Sequence, residues 1–343
     1  MLSYRHGYHA GNTADVLKHF ILLYVLDYVK KKDKTFIFID SHAGAGKYSI
    51  SDPYMQKNKE YLQGIQKILK INNNDIFLKN YLDLIKSINS NSDIKTYPGS
   101  CYLAAKSLRI DDKLHFLELH PTEFLNLKKN FENDTRIIIE NEDSYKRLKK
   151  LLPPREKRAV ILIDPSYELK DEYEKVLNML SDCYKKFPLG VYIVWYPVLN
   201  NKKSEPFVLN ILKENYKNLS HIEIITDNSN DGMQGSGLFI INCPWSIEKD
   251  IKKSLESIFN CLKKSNDLSK LLFKNSHSYW GCHDCKFNSS RSCWNCHPSN
   301  IKQNEDRPRG FSNCFCNNSY RCCWFFCISW NSKFICLINI IFK

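Results

Sequence analysis

Residues 161–169 read ILIDPSYEL. An apolar run that begins at Val160 ends on Asp164, with Pro165, Ser166 and Tyr167 directly behind it. The run is apolar at every position rather than at alternate ones, which is the pattern of a strand covered on both faces of a mostly parallel sheet. A carboxylate at the end of such a strand is costly unless something pairs with it or uses it.

The same rhythm extends in both directions. TFIFID (35–40), KLHFLEL (113–119), RIIIEN (136–141) and GVYIVWYP (190–197) read as strands. PTEFLNLKKNF, SYKRLKKLL, KDEYEKVLNMLSDCYKKF and SEPFVLNILKENYKN alternate with them as amphipathic helices. HIEIIT (221–226) and GLFIINCPW (237–245) have no helix between them, so they are expected to form an antiparallel edge. Near the start, Asn12 or Thr13 can cap a helix over ADVLKHFILLYVLDYVKKK (14–32). MQKNKEYLQGIQKILK (55–70) and IFLKNYLDLIKSI (76–88) read as two inserted helices. The pattern predicts an α/β fold: a doubly wound, mostly parallel sheet of seven strands over residues 1–270, with a helical insertion at about 50–95.

Bulk properties agree with a globular chain. It has 343 residues, 43% hydrophobic and 25% charged, and a net charge of +13 with pI near 9.0. Such a basic excess suits a polyanion, nucleic acid first and an acidic membrane second; the alternative is a lysine-rich composition that only maintains solubility. MLSYRHGYHAGN lacks the apolar core of a secretory leader, and FILLYVLDYV is short and carries Asp27, so a cytoplasmic chain without a membrane span is expected. Four cysteines are scattered before residue 282 and ten crowd behind it.

Ligands in doubly wound sheets sit beyond the carboxyl ends of the strands. Ser41, His42, Gly44 and Gly46 follow the first strand, Glu118 the second, Asp143 the third, Asp164 the fourth, and Tyr196 with Pro197 the fifth. HAGAG (42–46) is a glycine turn but not GxGxxG, and no acid follows it by about twenty residues. A glycine turn, an acid for a ribose diol (Glu118) and an acid for an adenine amine (Asp143) suit an adenosyl group without phosphate, hence S-adenosyl-L-methionine. DPSY (164–167) then resembles the D-P-P-Y motif of methyltransferases acting on exocyclic amines. Asp164 and the Pro165 carbonyl would accept the two amine N–H groups and free the nitrogen lone pair, while Tyr167 would stack on a flipped base. A strand-end aspartate that merely caps the next helix would explain Asp164 but not the three residues after it. Ser166 stands where proline is usual, which loosens the loop and predicts reduced activity.

The segment YRHGYHAGNTADVLKH (4–19) reads as a base-binding, cofactor-covering flap, with Arg5 and Lys18 meeting phosphate; a capping segment with neutral buried histidines is the alternative. Its histidines lack metal-ligand spacing.

Taken together, MLSYRH, HAGNTADVLKH, SHAGAGKY, YPGS, LELHP, ILIDPSYE, WYPV and GSGLFIINCPW resemble, in order over residues 1–250, the bacterial J-type large-subunit rRNA adenine-N6 methyltransferases. The resemblance implies a class I methyltransferase fold with a helical subdomain. It implies S-adenosylmethionine contacts at His19, His42, Ser100, Glu118, Asp143 and Ser144, the last replacing a usual glycine. It further implies a catalytic Asp164, RNA contacts at Tyr4 and His6, and 23S rRNA as substrate of a monomer. The same chemistry on DNA and a non-catalytic RNA-binding protein are the rivals; a nicotinamide oxidoreductase lacks its fingerprint.

The tail after about residue 274 differs in character. CHDCKFNSSRSCWNCH offers Cys282, Cys285, Cys293 and Cys296 in two C-x-x-C pairs, a zinc signature with a tight gap. A zinc-binding RNA module, a membrane-seeking end and a segment without a selected fold compete; the last is preferred, with no metal in the main domain.

Overall fold

The computed structural model describes residues 4–71, 75–89, 94–169, 171–226, 232–263 and 269–275, and the backbone of two further strands, 325–330 and 333–338. It forms two compact units, Met1–Ser276 and His277–Lys343. In the second, β11 (Phe325–Trp330) and β12 (Lys333–Ile338) make an antiparallel ribbon. The cysteine pairs 282/285 and 293/296 lie outside the described residues.

The first unit is built on an eight-stranded sheet. Its strands are β1 (Ile37–Asp40), β4 (Lys113–Leu117), β5 (Ile137–Glu140), β6 (Ala159–Ile163), β7 (Val191–Leu199), β8 (Ser220–Ile225), β9 (Met233–Ile241) and β10 (Lys270–Asn275). A separate ribbon pairs β2 (Lys47–Ser49) with β3 (Thr96–Pro98). The spatial order is β10-β8-β9-β7-β6-β1-β4-β5. From β7 to β5 all pairings are parallel; β9 pairs antiparallel with both β7 and β8, and β10 antiparallel with β8.

Two expectations change. The antiparallel pair is present, but β10 closes the edge outside it as an eighth strand. In addition, β7 continues to Leu199, so Tyr196 and Pro197 lie within a strand rather than at its end. The Tyr196 hydroxyl is buried against Glu223 Oε2 at 2.6 Å and His221 Nε2 at 2.7 Å. Extra antiparallel partners on β9 satisfy the backbone that would otherwise have to stop there.

Helices α1 (Thr13–Lys30), α5 (Ser100–Ser107) and α10 (Ile247–Leu262) contribute to one core, and α8 (Glu172–Lys186) and α9 (Glu205–Lys213) to the other. Helices α6 (Pro121–Asn130) and α7 (Ser144–Arg147) follow β4 and β5. Asn12 caps α1 by accepting the Asp15 N–H at 3.0 Å. Every residue of α1 from Ala14 to Leu26 is buried, because the sheet covers one side and the insert the other.

The insert lies between β2 and β3 and holds α2 (Pro53–Asn58), α3 (Ile65–Ile68) and α4 (Ile76–Asn89). The single helix expected over 55–70 is broken at Lys59, whose φ is +53°, and at Gly64. Gly64 abuts the N-terminal segment so closely that a Cβ there would lie 2.1 Å from the Gly11 carbonyl oxygen. The Ile65 N–H donates to that oxygen at 2.9 Å.

Candidate active site

Four acids stand at the carboxyl ends of four adjacent parallel strands, in the spatial order Asp164 (after β6), Asp40 (β1), Glu118 (after β4) and Asp143 (after β5). Asp40, absent from the sequence expectation, fills the gap in that row. It is fully buried, accepts the Ser100 hydroxyl at 2.6 Å and the His42 N–H at 3.2 Å, and burial pushes its carboxyl up to about 6. Ser100, expected at the cofactor, therefore also ties α5 to the glycine turn.

A cavity of about 50 Å³ opens over these strand ends. Of the residues singled out in the sequence, Tyr4, His6, Lys18, His19, His42, Gly44, Ser100, Glu118 and Asp164 line it. Arg5, Asp143, Ser144, Pro165 and Tyr167 do not touch it. Gly44 adopts φ +61°, a conformation that L side chains avoid, and its N–H donates to Glu118 Oε2 at 2.7 Å. The His120 N–H donates to Glu118 Oε1, also at 2.7 Å. Burial pushes the Glu118 carboxyl up to about 7 in spite of these two donors.

His42 is held between two hydroxyls, Ser41 Oγ at 2.7 Å from Nδ1 and Ser144 Oγ at 3.0 Å from Nε2. His19 Nδ1 meets the Tyr97 hydroxyl at 2.8 Å. Burial lowers both imidazoles to about 3, so both are neutral. Asp143 caps α7, accepting the Tyr145 N–H at 2.9 Å.

The second centre is a buried charge cluster on α1. Asp15, also missed in the sequence, receives the Gly11 N–H at 2.9 Å, His6 Nε2 at 2.9 Å and the Lys18 ammonium at 2.9 Å. The same ammonium bonds Asp164 Oδ2. Burial opposes the Lys18 charge, but the two carboxylates outweigh it and raise its pKa. Burial would also raise Asp15, yet His6 and Lys18 hold it well below the carboxylate range. On Asp164 burial wins, and its carboxyl is raised despite Lys18. Lys18, expected at RNA phosphates, is only 3% exposed and committed to these carboxylates. The spacing Asp15, Lys18, His19 on an otherwise apolar helix was the available signal: three polar groups at i, i+3 and i+4 share one buried face.

Behind Asp164, Tyr167 takes φ +54° and donates its hydroxyl to the Trp195 carbonyl at 2.8 Å. Its ring packs beside Tyr173, Trp195 and Phe207. Glu172, in the first turn of α8, accepts from Leu169 N–H at 3.3 Å and Ser166 Oγ at 3.5 Å, bracing the loop. Arg5 lies 3.9 Å from Glu123, and Tyr4 bonds His6 Nδ1 at 3.1 Å.

Residues 33–271 match the sequence profile of the family described as ribosomal RNA large subunit methyltransferase D, RlmJ. Two relatives named ribosomal RNA large subunit methyltransferase J, from Escherichia coli and Haemophilus influenzae, are 37% and 36% identical over 257 and 258 residues. Each alignment covers 74% of this chain and 92% of the relative. The chain belongs to this rRNA methyltransferase family. A crystal structure of a Legionella pneumophila protein, 37% identical, superposes with a TM-score of 0.72 over 78% of this chain and 98% of that one. The family fold thus runs through the glycine turn and Asp164, whereas the cysteine-rich tail lies beyond the matched residues.

Proposed function

We propose that the chain methylates N6 of an adenine in 23S rRNA, using S-adenosyl-L-methionine, as a cytoplasmic monomer. The observation that carries this reading is Asp164: a desolvated carboxylate at a strand end, in one cavity with Glu118 and the glycine turn. When bound, S-adenosylmethionine supplies an electrophilic methyl group on a cationic sulfonium.

The donor set fits that molecule. Asp15 and Asp164 offset the Lys18 ammonium, and Glu118 and Glu123 also line the cavity, so the acids outnumber the one lysine and suit a cationic ligand. Glu118 has the geometry of a diol acceptor, with both oxygens already oriented by main-chain donors. His42 and His19 are neutral hydrogen-bonding groups, so they add no repelling charge. Ser144 bonds the cavity-lining His42, so Asp143 and Ser144 stand one residue behind that wall and would hold the adenine edge, with the Gly44 backbone at the ribose edge. The Tyr4–His6 segment forms a strap along the lining of the cavity.

An aromatic amine is a poor nucleophile because its lone pair is shared with the ring. Asp164 Oδ2 takes Lys18, and Oδ1 is the oxygen left to accept one amine N–H. The Pro165 carbonyl takes the other, and Tyr167 supports the base. Asp164 orients the amine first and receives its proton only after methylation has made the nitrogen strongly acidic. Tyr4, Arg5 and His6 would meet the RNA at the cavity mouth.

Methyl transfer from labelled S-adenosylmethionine to 23S rRNA fragments, with nucleoside analysis, tests this. N6-methyladenosine is expected; cofactor binding without any methylated RNA would overturn it, and product only on DNA would replace the substrate.

A further inference from the structure

The N-terminal strap and the insert share a solvent-facing strip that methyl transfer itself does not use. Tyr8 and Tyr54 meet edge to face at 5.0 Å. The Arg5 guanidinium lies 4.8 Å over the Tyr54 ring, and the Lys57 ammonium 5.2 Å from the Tyr8 ring. Both tyrosines are half-buried, while Lys57 and Lys59 are exposed. The strip leads inward: Tyr8 contacts His9, and His9 stacks on Tyr4 at 5.8 Å and 14°. Tyr4 in turn lines the cavity that holds Asp164.

The acids of the strip are already engaged. Asp52 caps α2 through the Tyr54 N–H at 2.8 Å, and Glu60 accepts from His9 at 3.0 Å and Asn12 at 3.1 Å. Arg5 reaches Glu123 only at 3.9 Å. Among the described residues neither Lys57 nor Lys59 has a carboxylate within ion-pair distance. Cations alternating with ring faces fit an unpaired strand, which offers phosphates and bases in turn; a duplex hides its base faces.

We propose that this strip docks the unpaired RNA flanking the target adenine, with Arg5 and Lys57 on phosphates and Tyr8 and Tyr54 against neighbouring bases. The proposal rests on the RNA-methylating reading above.

The test measures binding of a labelled single-stranded oligoadenylate to the full chain across a salt series, separately from methyl transfer. Tyr8→Leu is expected to weaken binding about tenfold. Lys57→Gln is expected to lower the slope of log affinity against log salt by about 0.7. Affinity for S-adenosylhomocysteine should stay unchanged in both. Lys57 is exposed, so its variant keeps the test sharp even if Tyr8→Leu loosens the fold. Parental binding and salt slope in both variants would overturn the strip, whether or not the enzyme methylates RNA. Weakened binding in the variants of a protein that methylates nothing would uphold the strip and defeat the methyltransferase reading.

Discussion

Lys18 and Asp164, 146 residues apart in sequence, form a buried ion pair at the end of β6. The lysine opposes the burial that raises the Asp164 carboxyl. Lys18→Met removes that opposition, so Asp164 becomes protonated at higher pH. Methylation requires the ionised form, and the acid limb of the rate–pH profile is expected to move to higher pH. Unfolding free energy should also drop by about 3 kcal/mol, since Asp164 loses its counter-charge. A pH series on the variant and parent decides; an acid limb in its original place would show that Lys18 does not tune this carboxylate.

Much of this was legible in the sequence because strand ends and glycine turns are local features. VILID announced both a strand covered on two faces and the functional acid at its end. FIFID carries the same signal at Asp40, but its partner Ser100 stands 60 residues away, so no local pattern shows what the carboxyl does. The break in the helix over 55–70 was not legible. It depends on Gly64 touching Gly11 across 53 residues, a tertiary contact that no local pattern records. Lys18 reads as a phosphate ligand because an isolated lysine on a helix is usually solvated; Asp164 behind β6 and the Trp195 ring on β7, both remote in sequence, are what it meets in the fold.

Glu118 makes a second pH-dependent prediction. Its carboxyl is pushed up to about 7 in the folded chain from an ordinary value near 4.5. Between those values the folded state binds more protons than the unfolded one, so this group's contribution falls as pH rises. Glu118→Gln removes that loss. The unfolding free energy of the variant relative to the parent should therefore increase from pH 4.5 to pH 7, by on the order of 1–3 kcal/mol. Its affinity for S-adenosylhomocysteine should fall at the same time. Denaturant titrations across pH check the first point, and a flat difference would mean that Glu118 is not desolvated.

Ser166 stands where the D-P-P-Y motif that this loop resembles has proline, and Glu172 braces the loop through Ser166 Oγ and the Leu169 N–H. Ser166→Pro restores a fixed φ at the cost of one long hydrogen bond. Proline substitutions that suit the native backbone stabilise by about 0.4–1 kcal/mol, so the unfolding free energy is expected to rise by that amount and methyl transfer to rise with the firmer loop. A lower rate in the single-turnover measurement would show that the Glu172 brace is the better anchor in this chain.

Gly64→Ala tests whether the insert positions the reaction centre. A Cβ would stand 2.1 Å from Gly11 O and 2.5 Å from the Asn12 carbonyl carbon, so backbone must move. Overpacking of this kind costs about 1–3 kcal/mol. The displaced residues are not neutral bystanders: the Gly11 N–H and Asn12 side chain hold Asp15, and Asp15 holds Lys18 against Asp164. Methyl transfer should therefore fall more steeply than the modest loss of stability alone implies, by about tenfold for each 1.4 kcal/mol by which the transition state loses this alignment. Rate and thermal midpoint measured on the same preparation separate the two effects. A lowered midpoint with a parental rate below the melting range would mean that the insert only buttresses α1.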